Sequence, residues 1–277
     1  MKRAFVIGHP IAHSRSPLIH GYWLKRHGIE GSYERIDVAP ADLARFLQSM
    51  AENGFVGGNV TIPHKQAVMS LCRDVGSEAR AIGAVNTLVQ SDGVLVGYNT
   101  DSAGFLSNLD HRVPGWDLES SDRSALVLGA GGAARAIVYA LSERGFKIAI
   151  VNRTVESAQA LAIAVGENAA AHRWGEIPRL LASTTLLVNT TSLGMKGQPP
   201  LEIDLGVLPQ SAIVNDLVYV PLETALLRVA RASGLRTVDG LGMLLHQAVP
   251  GFEHWFGIRP EVTDELYQLI ATDIAGV

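Results

Sequence analysis

A strand, a glycine turn and the start of a helix are written into Ser124-Ala-Leu-Val-Leu-Gly129-Ala-Gly131-Gly-Ala-Ala134. The apolar run Ser124–Leu128 has the length of a buried strand, glycines follow at once, and a helix is expected from about Gly132 to Arg144. The spacing is G-x-G-x-x-A. In that context each residue has a physical task. Gly129 permits the tight turn, Gly131 lets backbone approach a pyrophosphate, and Ala134 keeps helix and strand close. The helix start then offers unpaired N–H groups and a partial positive charge to the phosphates. Gly129, Ala130, Gly131, Gly132 and Ala133 are therefore the candidate dinucleotide cradle. A glycine turn in an unliganded α/β domain is the plainer alternative.

The next strand, Lys147–Val151, ends in Asn152-Arg153-Thr154. An NAD-binding chain usually has an acid here for the ribose 2′-hydroxyl. An arginine stands instead, suited to clamping a phosphate, so NADP is the expected cofactor, held by Asn152, Arg153 and Thr154. Glu156 lies close by, and Arg153 as a plain surface charge is the competing reading. Downstream, Thr154 can cap a helix, Thr185–Thr190 and Ala212–Asn215 read as strands, and Pro221 is expected to open a helix that stops at Gly234. Arg236–Asp239 is a last short strand. Strands alternating with helices imply a parallel sheet with right-handed crossovers over residues 102–237.

Upstream, Arg3–Gly8 reads as a buried strand. Ser16 is expected to cap a helix opened by Pro17 and stopped at Gly28. Ser32–Val38 alternates as a strand, Ala41–Asn53 has helical spacing, Gly57–Thr61 is a short strand, and a helix should follow Pro63. Ala84–Gln90 and Val94–Thr100 flank Ser-Asp-Gly as a hairpin. The tail beyond about residue 240 is expected to be mostly helical and to return to the first domain. The fold class is thus α/β in two domains. Residues 1–101 plus 238–277 form an N-terminal α/β substrate domain with a mainly parallel sheet. Residues 102–237 form a Rossmann-like NADP-binding domain.

Composition narrows the function classes. The chain has 277 residues, 47% hydrophobic and 18% charged, with a formal net charge of -4. That suits a packed core and excludes neither fold nor ligand, but it disfavours nucleic acid and anionic membrane as partners. No stretch is apolar enough to span a membrane, and His9, His13, Arg15 and His20 interrupt any signal-peptide core. The single cysteine, Cys72, fits a reducing compartment and reads as a packed helix face, so a cytoplasmic location is expected. No metal is expected.

The candidate catalytic residues are Lys65, which closes Asn59-Val-Thr-Ile-Pro-His-Lys65, and Asp101, which closes Gly97-Tyr-Asn-Thr-Asp101. A lysine can donate or accept a proton, and a carboxylate can orient the ammonium. Taken singly, a lysine is usually a surface cation and an aspartate before Ser102 usually a helix cap. Around them Asn59, Thr61, Asn86, Thr87 and Asn99 stand at or near strand ends, where ligands of open α/β sheets bind. Ordinary turn and cap chemistry accounts for part of this set.

Over nearly its whole length the sequence resembles the shikimate dehydrogenases. The similar segments are Gly8–His20, Asn59–Lys65, Gly83–Thr87, Gly97–Asp101, Gly129–Ala134, Asn152–Thr154, Asn189–Met195, Asp216–Thr224 and Asp239–Gln247. The resemblance implies interconversion of shikimate and 3-dehydroshikimate with NADP, on the route to chorismate and aromatic amino acids. It implies that Ser14 and Ser16 bind the substrate carboxylate. Thr61, Asn86, Asp101 and Gln247 would hold the ring hydroxyls, with Asn59 and Tyr219 also on the substrate. Thr190 and Ser192 lie in a cofactor-side segment, Leu217 would touch the cofactor, and Gly240 would approach the nicotinamide. A homodimer is common in that family, but monomers occur, and the sequence shows no interface. His64 stands where an apolar aromatic is frequent and Tyr98 where an Asp is frequent, which leaves substrate range open. The alternatives are a relative that takes quinate or an amino-substituted ring, a folate-linked dehydrogenase of similar build, and a non-catalytic NADP-binding regulator.

Overall fold

In the computed structural model, which describes residues 1–91, 93–118 and 122–276, strand and helix alternate from the start of the chain. The first stretch runs β1 (Lys2–Gly8), α1 (Ser16–Arg26), β2 (Gly31–Asp37), α2 (Leu43–Ser49), β3 (Phe55–Val60), β4 (Asp74–Val75), α3 (Ser77–Ile82), β5 (Thr87–Ser91) and β6 (Val94–Tyr98). Then follow α4 (Asp101–Arg112), β7 (Ser124–Leu128), α5 (Gly132–Glu143), β8 (Lys147–Val151), α6 (Val155–Val165), β9 (Ala169–His172) and α7 (Ile177–Leu181). The chain ends with β10 (Leu186–Asn189), β11 (Ile213–Asp216), α8 (Ala225–Ala232), β12 (Arg236–Val238), α9 (Gly240–Phe256) and α10 (Asp264–Ala275). Two compact units result. One comprises Met1–Asp101 and Leu245–Ile270, the other Ser102–Leu244 and the residues from Ala271 on.

The first unit is built on a six-stranded sheet in the order β2-β1-β3-β5-β6-β4. β1 pairs in parallel with both β2 and β3, whereas β5 runs antiparallel to β3 and to β6. β1 is buried from Ala4 to Gly8, as a strand covered on both faces should be. One face packs Phe5 and Ile7 against Leu43, Leu47, Met50, Val60 and Leu88. Gly57 takes φ +155°, and a Cβ there would run into the Trp255 indole, whose Nε1 donates to the Leu88 oxygen at 2.8 Å. Only glycine lets α9 lie that close to the strand.

The second unit carries a six-stranded sheet, β12-β11-β10-β7-β8-β9, parallel throughout. This is the doubly wound order with its switch point between β7 and β10. Alternate residues of β7 enter different cores, as the two-residue period of a strand requires. Ala125 and Val127 join Phe105, Leu109, Ile137, Leu141 and Leu161 from α4, α5 and α6. Leu126 and Leu128 join Ile177, Leu181, Leu226 and Leu227 from α7 and α8.

Several elements differ from the sequence expectation. Arg15, not Ser16, is the N-cap of α1, and Ser16 is its first helical residue. The stretch after Pro63 forms only a 3-10 turn, Ala67–Leu71, with Cys72 at its end. α8 starts at Ala225, not at Pro221, because the Thr224 side chain accepts the Leu227 N–H and caps it there. The helix expected over Ala41–Asn53 is a 3-10 turn, Pro40–Asp42, followed by α2. β5 and β6 form the expected antiparallel pair, but Asp92 of the connecting turn lies outside the described residues.

Candidate functional site

Sheet register explains why distant segments of the first unit meet. Asn59 near the end of β3 pairs with Thr87 at the start of β5, and Thr87 pairs with Tyr98 at the end of β6. β1 and β3 are parallel, with Val6 opposite Asn59. The residues after β1, after β3, before β5 and after β6 therefore emerge at one end of the sheet. Backbone bonds bind the first two of these loops, His9 N to Ile62 O at 3.1 Å and Thr61 N to Ile7 O at 2.9 Å. A Cβ on Gly8 would press on Thr61 Cγ2 at 2.6 Å, so the glycine is needed for this approach.

At that end Lys65 Nζ donates to Asp101 Oδ2 at 2.5 Å, with side chains only 19% and 7% exposed. Asp101 is held from two more sides. Its other oxygen accepts Asn86 Nδ2 at 2.8 Å, and its backbone N–H donates to Asn99 Oδ1 at 2.9 Å. Lys65 is anchored through its own carbonyl, which accepts the Val85 N–H at 2.8 Å. An ammonium has three hydrogens, and the ion pair uses one. The remaining ones are available to an oxygen of a bound molecule.

Of the rest of the expected substrate set in this unit, Asn86 bonds Asp101 and Asn59 bonds the Asn86 carbonyl. Asn59 and Asn86 are buried, and Thr61 is half-buried. Gln247 contributes its backbone oxygen to the Thr100 hydroxyl at 2.8 Å. Ser14 Oγ accepts the Ser16 N–H at 3.3 Å, and the Ser16 hydroxyl lies beside Tyr33. The two departures noted in the sequence have settled partners. His64 is buried with Nε2 bonded to Val38 O at 2.7 Å, and Tyr98 stacks on His254 with ring centroids 5.0 Å apart. Burial pushes the Cys72 thiol up to about 11, so it is an inert packing residue.

In the second unit the glycine turn has the shape a pyrophosphate needs. Gly129 takes φ +111°, and a Cβ there would collide with the Thr190 hydroxyl, so the chain can turn only with glycine. Gly131 is exposed and would meet nothing with an added Cβ, which leaves open space over the first amides of α5. That helix has no side-chain cap, so its first N–H groups at Gly132, Ala133 and Ala134 keep their donors for a ligand. At the end of β8 the Arg153 guanidinium is exposed and forms no hydrogen bond or ion pair among the described residues. Asn152 Nδ2 bonds the Thr154 carbonyl at 2.9 Å, which fixes the turn that presents Arg153 and Thr154. An open amide-lined turn and an unengaged guanidinium one strand away are the features a 2′-phosphorylated dinucleotide requires.

Asn189 and Asp216, to which the sequence reading assigned no role of their own, order the loop after β11. Asp216 is fully buried, and its carboxylate accepts from Asn189 Nδ2 at 2.8 Å, Thr224 Oγ1 at 2.7 Å and Val218 N at 3.0 Å. Burial still raises its pKa above the ordinary carboxylate value. Leu217 N donates to the Asn189 carbonyl at 2.9 Å, so this network sets the strand-end loop that carries Leu217 and the half-buried Tyr219. Gly240 starts α9 against that loop, where a Cβ would collide with the Leu217 carbonyl. Ser192 is exposed on the loop after β10. The pairing of Asn189 with Asp216 across β10 and β11 was the available signal, two polar residues closing two apolar strands.

Family models match three segments of the chain. Residues 6–88 match the shikimate dehydrogenase substrate binding domain, residues 115–195 the shikimate / quinate 5-dehydrogenase, and residues 240–264 the shikimate 5'-dehydrogenase C-terminal domain. A curated relative from Methylobacterium radiotolerans, named shikimate dehydrogenase (NADP(+)), is 59% identical over 99% of this chain and 98% of its own. The structure of shikimate 5-dehydrogenase from Thermus thermophilus in complex with NADP(H) and shikimate matches with a TM-score of 0.87. It is 38% identical, over 99% of this chain and 100% of that one. Quinate dehydrogenase from Corynebacterium glutamicum in complex with NAD matches at 0.90 and 32% identity, over 98% and 100%. With identity of this level along its full length and the Lys65–Asp101 pair and glycine turn in place, the chain belongs to the shikimate dehydrogenase family.

Proposed function

We propose that this protein is an NADP-dependent shikimate dehydrogenase that interconverts 3-dehydroshikimate and shikimate on the route to chorismate. The observation that carries the reading is the 2.5 Å ion pair between the half-buried Lys65 Nζ and the buried Asp101 Oδ2 in a chain of this family. When bound, NADP supplies the hydride chemistry at a ring carbon. The protein binds the ring, aligns it and manages one proton. In the reducing direction Lys65 gives a proton from Nζ to the oxygen that becomes the hydroxyl, and in the oxidising direction it takes that proton back. Asp101 fixes Nζ and balances its charge. Ser14 and Ser16 take the substrate carboxylate with their hydroxyls. Thr61, Asn86, Asp101 and Gln247 bond the ring hydroxyls, which need both donors and acceptors, and Asn59 backs Asn86 through its amide.

Gly129 to Ala133 would hold the pyrophosphate, with Thr190 and Ser192 on the next strand-end loop. Asn152, Arg153 and Thr154 would hold the 2′-phosphate, Leu217 would touch the cofactor, and Gly240 would approach the nicotinamide. The free Arg153 guanidinium supports NADP over NAD, and the curated relative's name agrees with it. No helix among the described residues is long and apolar enough to cross a membrane. The lone cysteine supports a reducing cytoplasm.

The test is reduced-nicotinamide absorbance with shikimate or quinate against NADP or NAD. The proposal expects rapid reduction with shikimate and NADP. General acid–base help is worth about 10²–10⁴-fold, so Lys65→Ala should lose at least that much turnover while NADP affinity changes little. Normal turnover in Lys65→Ala removes the catalytic assignment. Equal rates with quinate or NAD move the protein to a broader relative.

A further inference from the structure

The hydrogens around Asp101 can be counted, and they close in one direction. Thr100 Oγ1 has a single hydrogen, and its shortest bond gives that hydrogen to the Gln247 backbone oxygen at 2.8 Å. Thr100 Oγ1 therefore accepts from Asn86 Nδ2 at 3.1 Å, and the second Nδ2 hydrogen goes to Asp101 Oδ1 at 2.8 Å. Asn86 Oδ1 then accepts two donors, the Thr100 N–H at 2.9 Å and the Thr87 hydroxyl at 2.9 Å. Having given its hydrogen, Thr87 Oγ1 accepts Asn59 Nδ2 at 3.2 Å, whose other hydrogen goes to the Asn86 carbonyl at 3.2 Å. Asn59 Oδ1 accepts the Tyr33 hydroxyl at 2.5 Å. Burial raises the Tyr33 pKa well above its ordinary value, against the Ser16 hydroxyl and Asn59, so Tyr33 remains a donor. The bonds run one way, from Tyr33 through Asn59, Thr87 and Asn86 to Asp101, among residues that are all buried.

We propose that Thr87 is a positioning residue for the Lys65–Asp101 pair, its hydroxyl holding the Asn86 amide so that Nδ2 stays on Asp101 Oδ1, with Tyr33 and Asn59 fixing the far end. The inference rests on the role given to Lys65 and Asp101 above. Thr87 is 0% exposed and bonds only other buried groups, so it acts through Asn86. Without its hydroxyl, Asn86 Oδ1 keeps the Thr100 N–H and the Thr100 hydroxyl 3.2 Å away, which gives its hydrogen to Gln247, one Asn59 hydrogen loses its acceptor, and the Asn86 amide plane is held less firmly. Asp101 Oδ2 and the Nζ bonded to it then lose their fixed place. A displacement of about 1 Å in a catalytic constellation costs on the order of 10²-fold in rate.

The experiment compares Thr87→Val, which keeps the shape and removes the hydroxyl, with Thr87→Ser, which keeps the hydroxyl. Tyr33→Phe removes the far donor and serves if Thr87→Val does not fold. Steady-state kinetics with shikimate and NADP are measured for each, with Lys65→Ala alongside. The proposal expects kcat to fall roughly 10–100-fold in Thr87→Val and less in Tyr33→Phe. It expects KM for NADP to stay within about twofold and Thr87→Ser to restore most of the turnover that Thr87→Val loses, as a group acting in the transition state rather than in cofactor binding should. Equal losses in Thr87→Val and Thr87→Ser, or a rise in KM for NADP that tracks the loss in kcat, overturn it. Full turnover in Thr87→Val with an inactive Lys65→Ala overturns this inference alone. Full turnover in Lys65→Ala overturns the catalytic reading and this inference with it.

Discussion

Lowering the pH from 7 to 5 should destabilise this protein through His20. The imidazole is 0% exposed and enclosed by aromatic rings. It stacks on Tyr33 at 4.0 Å and lies 5.4 Å from Trp255, 5.6 Å from Trp23 and 5.9 Å from Phe252. Neither ring nitrogen has a hydrogen-bond partner. Burial pushes its pKa from 6.5 down to about 3, opposed only by the nearby Asn59 amide. Only its oxygen could accept a proton from the ring, and that oxygen already accepts the Tyr33 hydroxyl at 2.5 Å. The folded state thus holds His20 neutral at pH 5, whereas the unfolded chain takes up nearly a full proton. A folded pKa below the unfolded one means stability is complete above pH 6.5 and is lost as pH falls toward about 3. Between pH 7 and pH 5 the loss from this group is about 2 kcal/mol. The assay is urea and thermal unfolding at both pH values, for the wild type and for His20→Phe. The variant keeps the stacking and has no proton to bind. Any overpacking by the larger ring is the same at both pH values and cancels in the difference. The wild type should lose about 2 kcal/mol more than the variant, or roughly 4–8 °C more in Tm for a chain of this size. Identical pH dependence in the two proteins would refute the claim that the native state excludes the proton.

Two further substitutions test the cofactor side. Arg153→Ser removes the exposed guanidinium at the end of β8, and hydrogen bonds to charged groups are worth about 1.5–3 kcal/mol. Its KM for NADP should rise roughly 10–100-fold while the value for NAD stays nearly constant, measured by initial rates. Unchanged discrimination between the two cofactors would move the 2′-phosphate contact to another residue. Gly129→Ala places a Cβ against the Thr190 hydroxyl at φ +111°. Such strain costs about 1–3 kcal/mol, so Tm should fall by several degrees and cofactor binding, read by fluorescence titration, should weaken together with it.

The second unit was legible because each of its signals is local. β7 and β8 have the bounds expected from sequence, since a run of buried aliphatic residues closed by glycine or asparagine has few other ways to fold. β4 and β9 were not visible. β9 is Ala169-Ala-Ala-His172, a poor strand former by propensity, and it exists because the edge of the parallel sheet supplies its partner. The start of α8 was misplaced by four residues for a similar reason. Pro221 carries a general bias toward the first helical position, but Thr224 has both a backbone N–H to cap and the buried Asp216 carboxylate to bond. The specific bonds override the general preference.

At the site, sequence distinguished residue types but not their duties. Asn59, Thr61, Asn86, Thr87 and Asn99 look equivalent as polar residues at strand ends, and the structure separates them by how many of their bonds are already made. Asn99 spends its amide on the Ala84 carbonyl and the Asp101 N–H, which is turn chemistry that shapes the loop. Thr87 has its donor and acceptor capacity filled within the protein, and Asn59 likewise fills both amide ends. Lys65 has one bond for three hydrogens. A buried polar group without a partner is costly, so groups that bond one another before any ligand arrives stabilise the empty site and keep its geometry. Groups with spare capacity near solvent are the ones a ligand can recruit. By that criterion Lys65 and Thr61 are the residues proposed to face the substrate, while Thr87 and Tyr33 are proposed to support them. Tyr33 was missed because a tyrosine in the alternating strand Gly31–Asp37 looks like ordinary strand packing until its hydroxyl is traced to Asn59. The chemistry is carried by residues that a motif can name. The accuracy with which they are held depends on contacts across sheet register, which no local spacing encodes.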